Sequence, residues 1–376
     1  MKYVDEFRDG GLARGLAAAI ARAAVSGRVY RFMEFCGGHT HAIARYGLED
    51  LLPANVQLIH GPGCPVCVLP GGRLQMAIEL AERPRLILAS YGDMLRVPVA
   101  GDSLLKARAR GADVRMVYAV DEALALARRH PEREVVFFAI GFETTTPPTA
   151  VAIRRARAEG LGNFSVFCNH VLTPAAIAAI LAAPDAAVRL DGFIGPAHVS
   201  TVIGSRPYEA CAAAHAKALV IAGFEPLDVL QAVLMLVRQV NSGRAEVENE
   251  FTRAVSRDGN LRAQQLVAEV FTPRAHFEWR GLGRLAHSAL AIAPQWADFD
   301  AEVRFSLSER VLCDHKACEC AAVLRGQRRP QDCKVFGTAC TPENPLGSCM
   351  VSSEGACAAH YSYGRFRDRT TQGESA

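Results

Sequence analysis

Arg28 to His41 reads RVYRFMEFCGGHTH, and this stretch decides the fold class. An apolar, β-branched and aromatic run breaks at two glycines and hands over to residues with helical spacing. The same device recurs on either side. Strand-forming runs stand at VQLIHG (56–61), RLILAS (85–90), VRMVYAV (114–120), VVFFAIG (135–141), FSVFCN (164–169), LDGFIG (190–195) and ALVIAG (218–223). Ala- and Leu-rich helical stretches separate them, for example EALALARRH after Asp121. Strand and helix in alternation predict parallel α/β structure with crossover helices. Periodicity alone also allows a (β/α)8 barrel.

The unusual residues follow the strands. CGGHTH (36–41) comes after the first run, PGCPVC (62–67) after the second, YGD (91–93) after the third. FETTTPPTA (142–150) and PAHVS (196–200) follow two of the later ones. Open parallel sheets and barrels both build their sites at that carboxyl edge. Candidate site residues are therefore Cys36, His39, Thr40, His41, Cys64, Cys67, Glu143, Thr144 and His198. Cys64-Pro65-Val66-Cys67 is spaced to close a disulfide or share a metal. Cys36, between strand and glycine turn, suits a soft metal or a nucleophile. Thr145-Thr146-Pro147 reads equally as a helix cap, and core packing is the plainer reading of Cys168 and Cys211.

Beyond Glu225 the pattern changes. PLDVLQAVLMLVRQV (226–240) predicts an amphipathic helix opened by Pro226, and a second, polar-faced helix is expected near Glu246 to Ser256. A cysteine-rich tail follows. Of twelve cysteines, six fall between Cys318 and Cys357 in the order Cys318, Cys320, Cys333, Cys340, Cys349, Cys357. Paired C-x2-4-C zinc knuckles are absent, so wide spacing across glycine and proline loops favours an iron–sulfur cluster over zinc. Four thiolates serve one cluster and two are left for a disulfide. Alternate residues of an extended segment point the same way, so either Cys318 or Cys320 can face the metal.

Composition excludes several classes. Half of the 376 residues are hydrophobic, enough for a full core. The net charge of +3 gives no bulk attraction to nucleic acid or an anionic membrane, and Arg325, Arg328 and Arg329 form only a short basic run. No stretch reaches the length of a membrane span, and the acidic start MKYVDEFRDG lacks the pattern of a signal peptide. A cytoplasmic location is expected, where clustered thiols act as metal or redox sites. The polar end, 367–376, is expected to fray.

Taken together, FCGGHTHAI, HGPGCPVCVLP, YGDMLRVP, GFETTTPPTA, GFIGPAHVS and the tail CECAAVLRG and DCKVFGTACTPENPLGSCMVSSEGACAAHYSY resemble the HypD family of [NiFe]-hydrogenase maturation proteins, over about residues 30 to 365. The resemblance implies two similar parallel-sheet α/β domains plus a smaller, mainly helical or irregular iron–sulfur module, and disfavours the barrel. The expected boundaries are an N-terminal helical segment, 1–29, packing on the C-terminal module, α/β domains at 30–125 and 126–225, and the module at 226–376. It implies a scaffold for assembling the Fe(CN)2CO group, with iron on Cys36 and a partner thiolate. Cys64 and Cys67 are expected to serve as a redox pair or as added iron ligands. It also implies a [4Fe-4S] cluster on Cys318, Cys333, Cys340 and Cys357, with Cys320 and Cys349 as the spare pair. The partners implied are a small chaperone of HypC type and HypE, which delivers cyanide with HypF. His39, Thr40, His41, Thr144 and His198 are expected to donate hydrogen bonds to the diatomic ligands or to position the thiolates. Two other classes compete: a cluster-dependent thiol–disulfide reductase without iron-ligand assembly, and a zinc-bearing interaction module. CGGHTH weighs against the first, since a plain reductase has no use for a third strand-end cysteine.

Overall fold

The computed structural model describes residues 5–182, 188–312 and 314–364. The expected frayed end lies outside them. All eight expected runs are strands: β1 (Tyr30–Glu34), β2 (Val56–His60), β3 (Leu86–Ser90), β4 (Asp113–Met116), β5 (Glu134–Gly141), β6 (Phe164–His170), β7 (Gly192–Gly195) and β8 (Ala218–Ile221). They do not close into a barrel. One sheet runs β4-β3-β5-β6. The other runs β2-β1-β7-β8 and ends in a ninth strand, β9 (Val247–Asn249). Every pairing within the two is parallel. β5 and β6 are buried almost throughout, as parallel strands covered on both faces must be.

Sheet membership cuts across the boundary expected at residue 125. β3 to β6 form one sheet from a continuous block, whereas β1 and β2 share the other with β7, β8 and β9. The sheet of β3 to β6 is thus an insertion, in sequence, between β2 and β7 of the sheet that β1 begins. The polar-faced helix expected at Glu246 to Ser256 is not formed either. Its first residues are β9, paired with β8 from Leu219↔Val247 to Ile221↔Asn249. Gln239 accepts from the Glu246 N–H and donates to Glu248, so this segment's polar groups are met by the sheet edge rather than by helical turns.

Three apolar clusters hold the chain together. In one, Phe32, Leu58, Ile194 and Val220 of the first sheet pack under Leu230, Val233 and Leu234 of the helix Pro226–Asn241, with Ile20 of the helix Gly10–Ala23 against it. The N-terminal helix therefore covers the helix that covers the sheet. A second lies on the outer face of the other sheet, from Phe137, Val166 and Ile153 to Trp296. The third joins both sheets to the tail, from Met33, Phe35, Phe138 and Phe193 to Cys349, Met350 and Cys357. At about 25 cal/mol per Å² of buried apolar surface, this shared core ties the strand ends to the tail. No helix is long and apolar enough to cross a membrane among the described residues.

Candidate functional site

β1 and β2 end side by side, with Glu34 opposite His60 on the last rung. The chain then turns at Cys36 into the helix Gly37–Tyr46, and at Cys64 into the short helix Pro65–Val68. The two turns are sewn together. Gly37 N–H donates to the Gly63 carbonyl at 3.0 Å, and Gly61 N–H to the Glu34 carbonyl at 3.0 Å. Gly63 is required here: a Cβ would lie 2.3 Å from the Cys36 nitrogen. That approach brings the Cys64/Cys67 turn against Cys36. Cys36 itself is 7% exposed. Burial, then the Glu354 carboxylate, push its thiol well up, against the Gly38 and His39 N–H groups that favour the thiolate. Such a thiol keeps its proton until a cation takes its place.

Glu34 organises this corner, and the sequence reading passed over it. It is wholly buried and accepts from Cys36 N–H at 3.0 Å, from His60 Nδ1 at 2.9 Å and from the Thr40 hydroxyl. Burial pushes His60 down, but its bond to Glu34 more than reverses this. The signal was present: Glu34 is the one acid in an otherwise apolar strand end, two residues before Cys36.

His39 differs from expectation. Nε2 lies 3.0 Å from the Ala222 carbonyl and 2.9 Å from the Gly223 carbonyl, so it carries the ring proton. Burial lowers its pKa and keeps the ring neutral. Nδ1, buried and without a partner, is then an acceptor, not the donor expected for cyanide. Thr40 has likewise given its hydroxyl proton to Glu34. Phe224 stacks on His39 at 4.9 Å and on the exposed His198 at 4.2 Å, and forms a wall beside Gly38. Burial and His39 both lower His198. His41 turns the other way, edge-on to Tyr363 at 5.2 Å, and lines an outer pocket of about 310 Å³ with Gly38, Phe224 and Glu354.

Glu143 stands at the end of β5, on the other sheet. It is buried, accepts from Thr173 N–H at 2.9 Å and Thr173 Oγ1 at 3.0 Å, and burial raises it to about 7. The neighbouring Thr144 is half-buried. The wholly buried Tyr208 feels the charges of both Glu143 and Cys36, so the two sheets present these groups to one interior. Tyr208 carried no signal in its helical sequence context.

Cys64 and Cys67 are joined as a disulfide. The tail docks directly on them: Cys67 Sγ lies 3.9 Å from the Ser348 carbonyl, and Ser348 Oγ donates to the Cys67 carbonyl at 3.0 Å. Cys349 is the next residue. The six tail cysteines are free thiols; Cys320 opens the short helix Cys320–Leu324, and Cys357 lies in the helix Ala356–Ala359. Cys320 touches Cys318, Cys349 and Cys357, and Cys349 also touches Cys357. Cys340 is within electrostatic reach of Cys318 and Cys333. Gly347 closes over this group, since a Cβ there would sit 2.3 Å from Cys318 Sγ and 2.6 Å from Cys320 Sγ. Contact with Cys320 brings Cys318 down to about 7. Contact with Cys318 and with Cys349 holds Cys320 well up. Among the described residues no three such side chains converge on one point as a single-ion site requires. A cube of four irons asks for a wider ring of soft donors, and these six thiols, gathered from Cys318 to Cys357, fit that chemistry.

The profile of the hydrogenase formation hypA family (HypD) matches residues 11–364. The chain is 68% identical to the hydrogenase maturation factor HypD of Azotobacter vinelandii, over 98% of each chain. It is 66% identical to the hydrogenase expression/formation protein HupD of Azotobacter chroococcum mcd 1, over 99% of each. With the HypD of Escherichia coli K12 it shares 46% identity over 96% of this chain and 98% of that one.

Proposed function

The chain belongs to the HypD family of hydrogenase formation proteins, and from that premise we propose that it acts in hydrogenase maturation as a scaffold and thiol-redox protein for the Fe(CN)2CO group. The iron fragment is its cargo. Cys36 anchors that iron, with a thiolate of a HypC-type chaperone as the second ligand, and HypE, with HypF, supplies the cyanide.

One observation carries this reading: Cys36, the Cys64/Cys67 pair and the Ser348–Cys349 turn meet in a single buried corner. Cys36 gives up its proton as it takes the iron, and the Gly38 and His39 N–H groups are aimed to support the thiolate. His39, with its one ring proton shared between two carbonyls, keeps a free lone pair on the buried Nδ1. His198 and the backbone N–H groups of the strand ends remain as donors to the diatomic ligands. Phe224 and Tyr208 keep water out. Opening the Cys64–Cys67 disulfide takes two electrons and two protons and yields two thiols beside Cys36; closing it returns them. Cys320 and Cys349 are in contact one residue from the Cys67 docking point, and on this reading they exchange with that pair. A [4Fe-4S] cluster on Cys318, Cys333, Cys340 and Cys357 would supply single electrons to this region.

Infrared spectroscopy of the chain purified with its chaperone tests the reading. Bands of iron-bound cyanide and carbon monoxide are expected, and their loss in Cys36→Ala. A chain that cycles its thiols without ever showing such bands would instead be a cluster-dependent thiol–disulfide reductase.

A further inference from the structure

Glu34 has no part in the chemistry above, yet it is the most heavily bonded side chain in the corner. Its two oxygens collect three donors from two separate loops. Oε2 takes the Cys36 N–H at 3.0 Å, and Oε1 takes His60 Nδ1 at 2.9 Å and the Thr40 hydroxyl. Cys36 and Thr40 lie at the start of one helix, and His60 ends the neighbouring strand just before the turn to Cys64 and Cys67. Its own backbone carbonyl takes the Gly61 N–H at 3.0 Å. No water reaches the carboxylate, which is 0% exposed.

A buried carboxylate is costly unless it is paired and its hydrogen bonds are complete, and here His60 is both a donor and, when protonated, the counter-ion. The chain bears that cost at the one rung joining the two cysteine loops. From this we propose that Glu34 is the positioning residue of the site: it clamps the Cys36 loop to the loop of Cys64 and Cys67, and so sets where the Cys36 sulfur stands. This deepens the reading of Cys36 as the iron anchor and rests on it. The three donors are not equivalent. The Cys36 N–H can only donate. The Thr40 hydroxyl can turn to accept, and the His60 ring can accept by exchanging tautomers. Glutamine at 34 can therefore put its carbonyl on Cys36 N–H and its amide on the other two. Leucine leaves all three without a partner.

The test reads Cys36 itself, apart from maturation. The full-length chain, purified without oxygen, is treated with iodoacetamide, and Cys36 labelling is followed by peptide mass spectrometry, with the half-buried Cys211 as internal reference. Glu34→Leu is expected to speed Cys36 labelling at least about tenfold, by freeing the loop to open locally, with Cys211 unchanged. Glu34→Gln is expected to stay within about twofold of the unmodified chain. The proposal is overturned if Glu34→Leu labels Cys36 at the original rate, if Cys211 speeds up equally, or if Glu34→Gln behaves like Glu34→Leu. Should Glu34→Leu fail to fold, Thr40→Val removes one arm alone. It is expected to raise the Cys36 rate about threefold, and an unchanged rate overturns the proposal. Normal maturation by Cys36→Ala would sink the iron-anchor reading while leaving the labelling result standing.

Discussion

The carboxyl edges of the two parallel sheets invite comparison, because both carry reactive residues in the same topological position and only one leaves them with open chemistry. On the inserted sheet the strand ends are satisfied. Thr145 donates to the Ile140 and Phe142 carbonyls, His170 pairs with Thr149, Asn169 accepts from Arg73, and Glu143 is held by Thr173. Cys168 gives its thiol proton to the Leu290 carbonyl inside the core. On the other sheet Cys36 has no such partner, His39 keeps a bare ring nitrogen, and the Cys64–Cys67 disulfide turn stands against the Cys36 loop. A strand-end position is thus a licence for a site, not a site. What distinguishes the two is whether the local hydrogen bonds are already complete.

The comparison can be broken most directly at its cysteines. If Cys36 is the iron anchor proposed, Cys36→Ala is expected to cut hydrogenase maturation in cells by at least about a hundredfold. Cys168→Ala on the opposite edge should cost about 1 kcal/mol of stability and leave maturation within about twofold. Equal losses at both sites would erase the distinction.

The Cys64/Cys67 pair comes next. Cys64→Ser, Cys67→Ser and the double variant are expected to lose maturation to the same extent, about tenfold or more, because a disulfide needs both sulfurs. Losses that multiply across the two sites would show two independent thiols.

The tail sharpens the contrast further. Cys320→Ser and Cys349→Ser should keep most of the iron and visible absorption of the purified chain, while maturation falls about tenfold. Cys318→Ser should bleach it. Colour retained in Cys318→Ser and lost in Cys320→Ser would exchange their roles.

The smallest effect lies on the quiet edge. Burial raises Glu143 from the ordinary 4.5 to about 7, so the fold favours its protonated form. That contribution is complete below the unfolded value and is lost as pH rises through the folded one. It amounts to at most about 3 kcal/mol. Unfolding measurements at about pH 5 and about pH 8 should show the unmodified chain weakening relative to Glu143→Gln as pH rises. A constant gap between them would mean that Glu143 does not titrate in this range.

Much of this architecture was open to a reader of the chain alone. Strand runs such as VVFFAIG and the glycines after them state their structure locally, because period, β-branching and turn residues act within a few positions. So do the cysteine motifs, whose chemistry lies in residue type and spacing. The grouping of strands was not written locally. β1 accepts β7, some 160 residues on, as its neighbour, and β9 took a place where only a polar helix was suggested, because the edge of β8 offered it a ladder. The state of each polar side chain was equally non-local. His39 is an acceptor because the Ala222 and Gly223 carbonyls claim its proton, and Glu34 matters because His60 stands opposite it. The sequence by itself determined which residues could carry chemistry. The tertiary structure alone decided which of them had already spent their hydrogen bonds, since each bond depends on a partner brought from far along the chain.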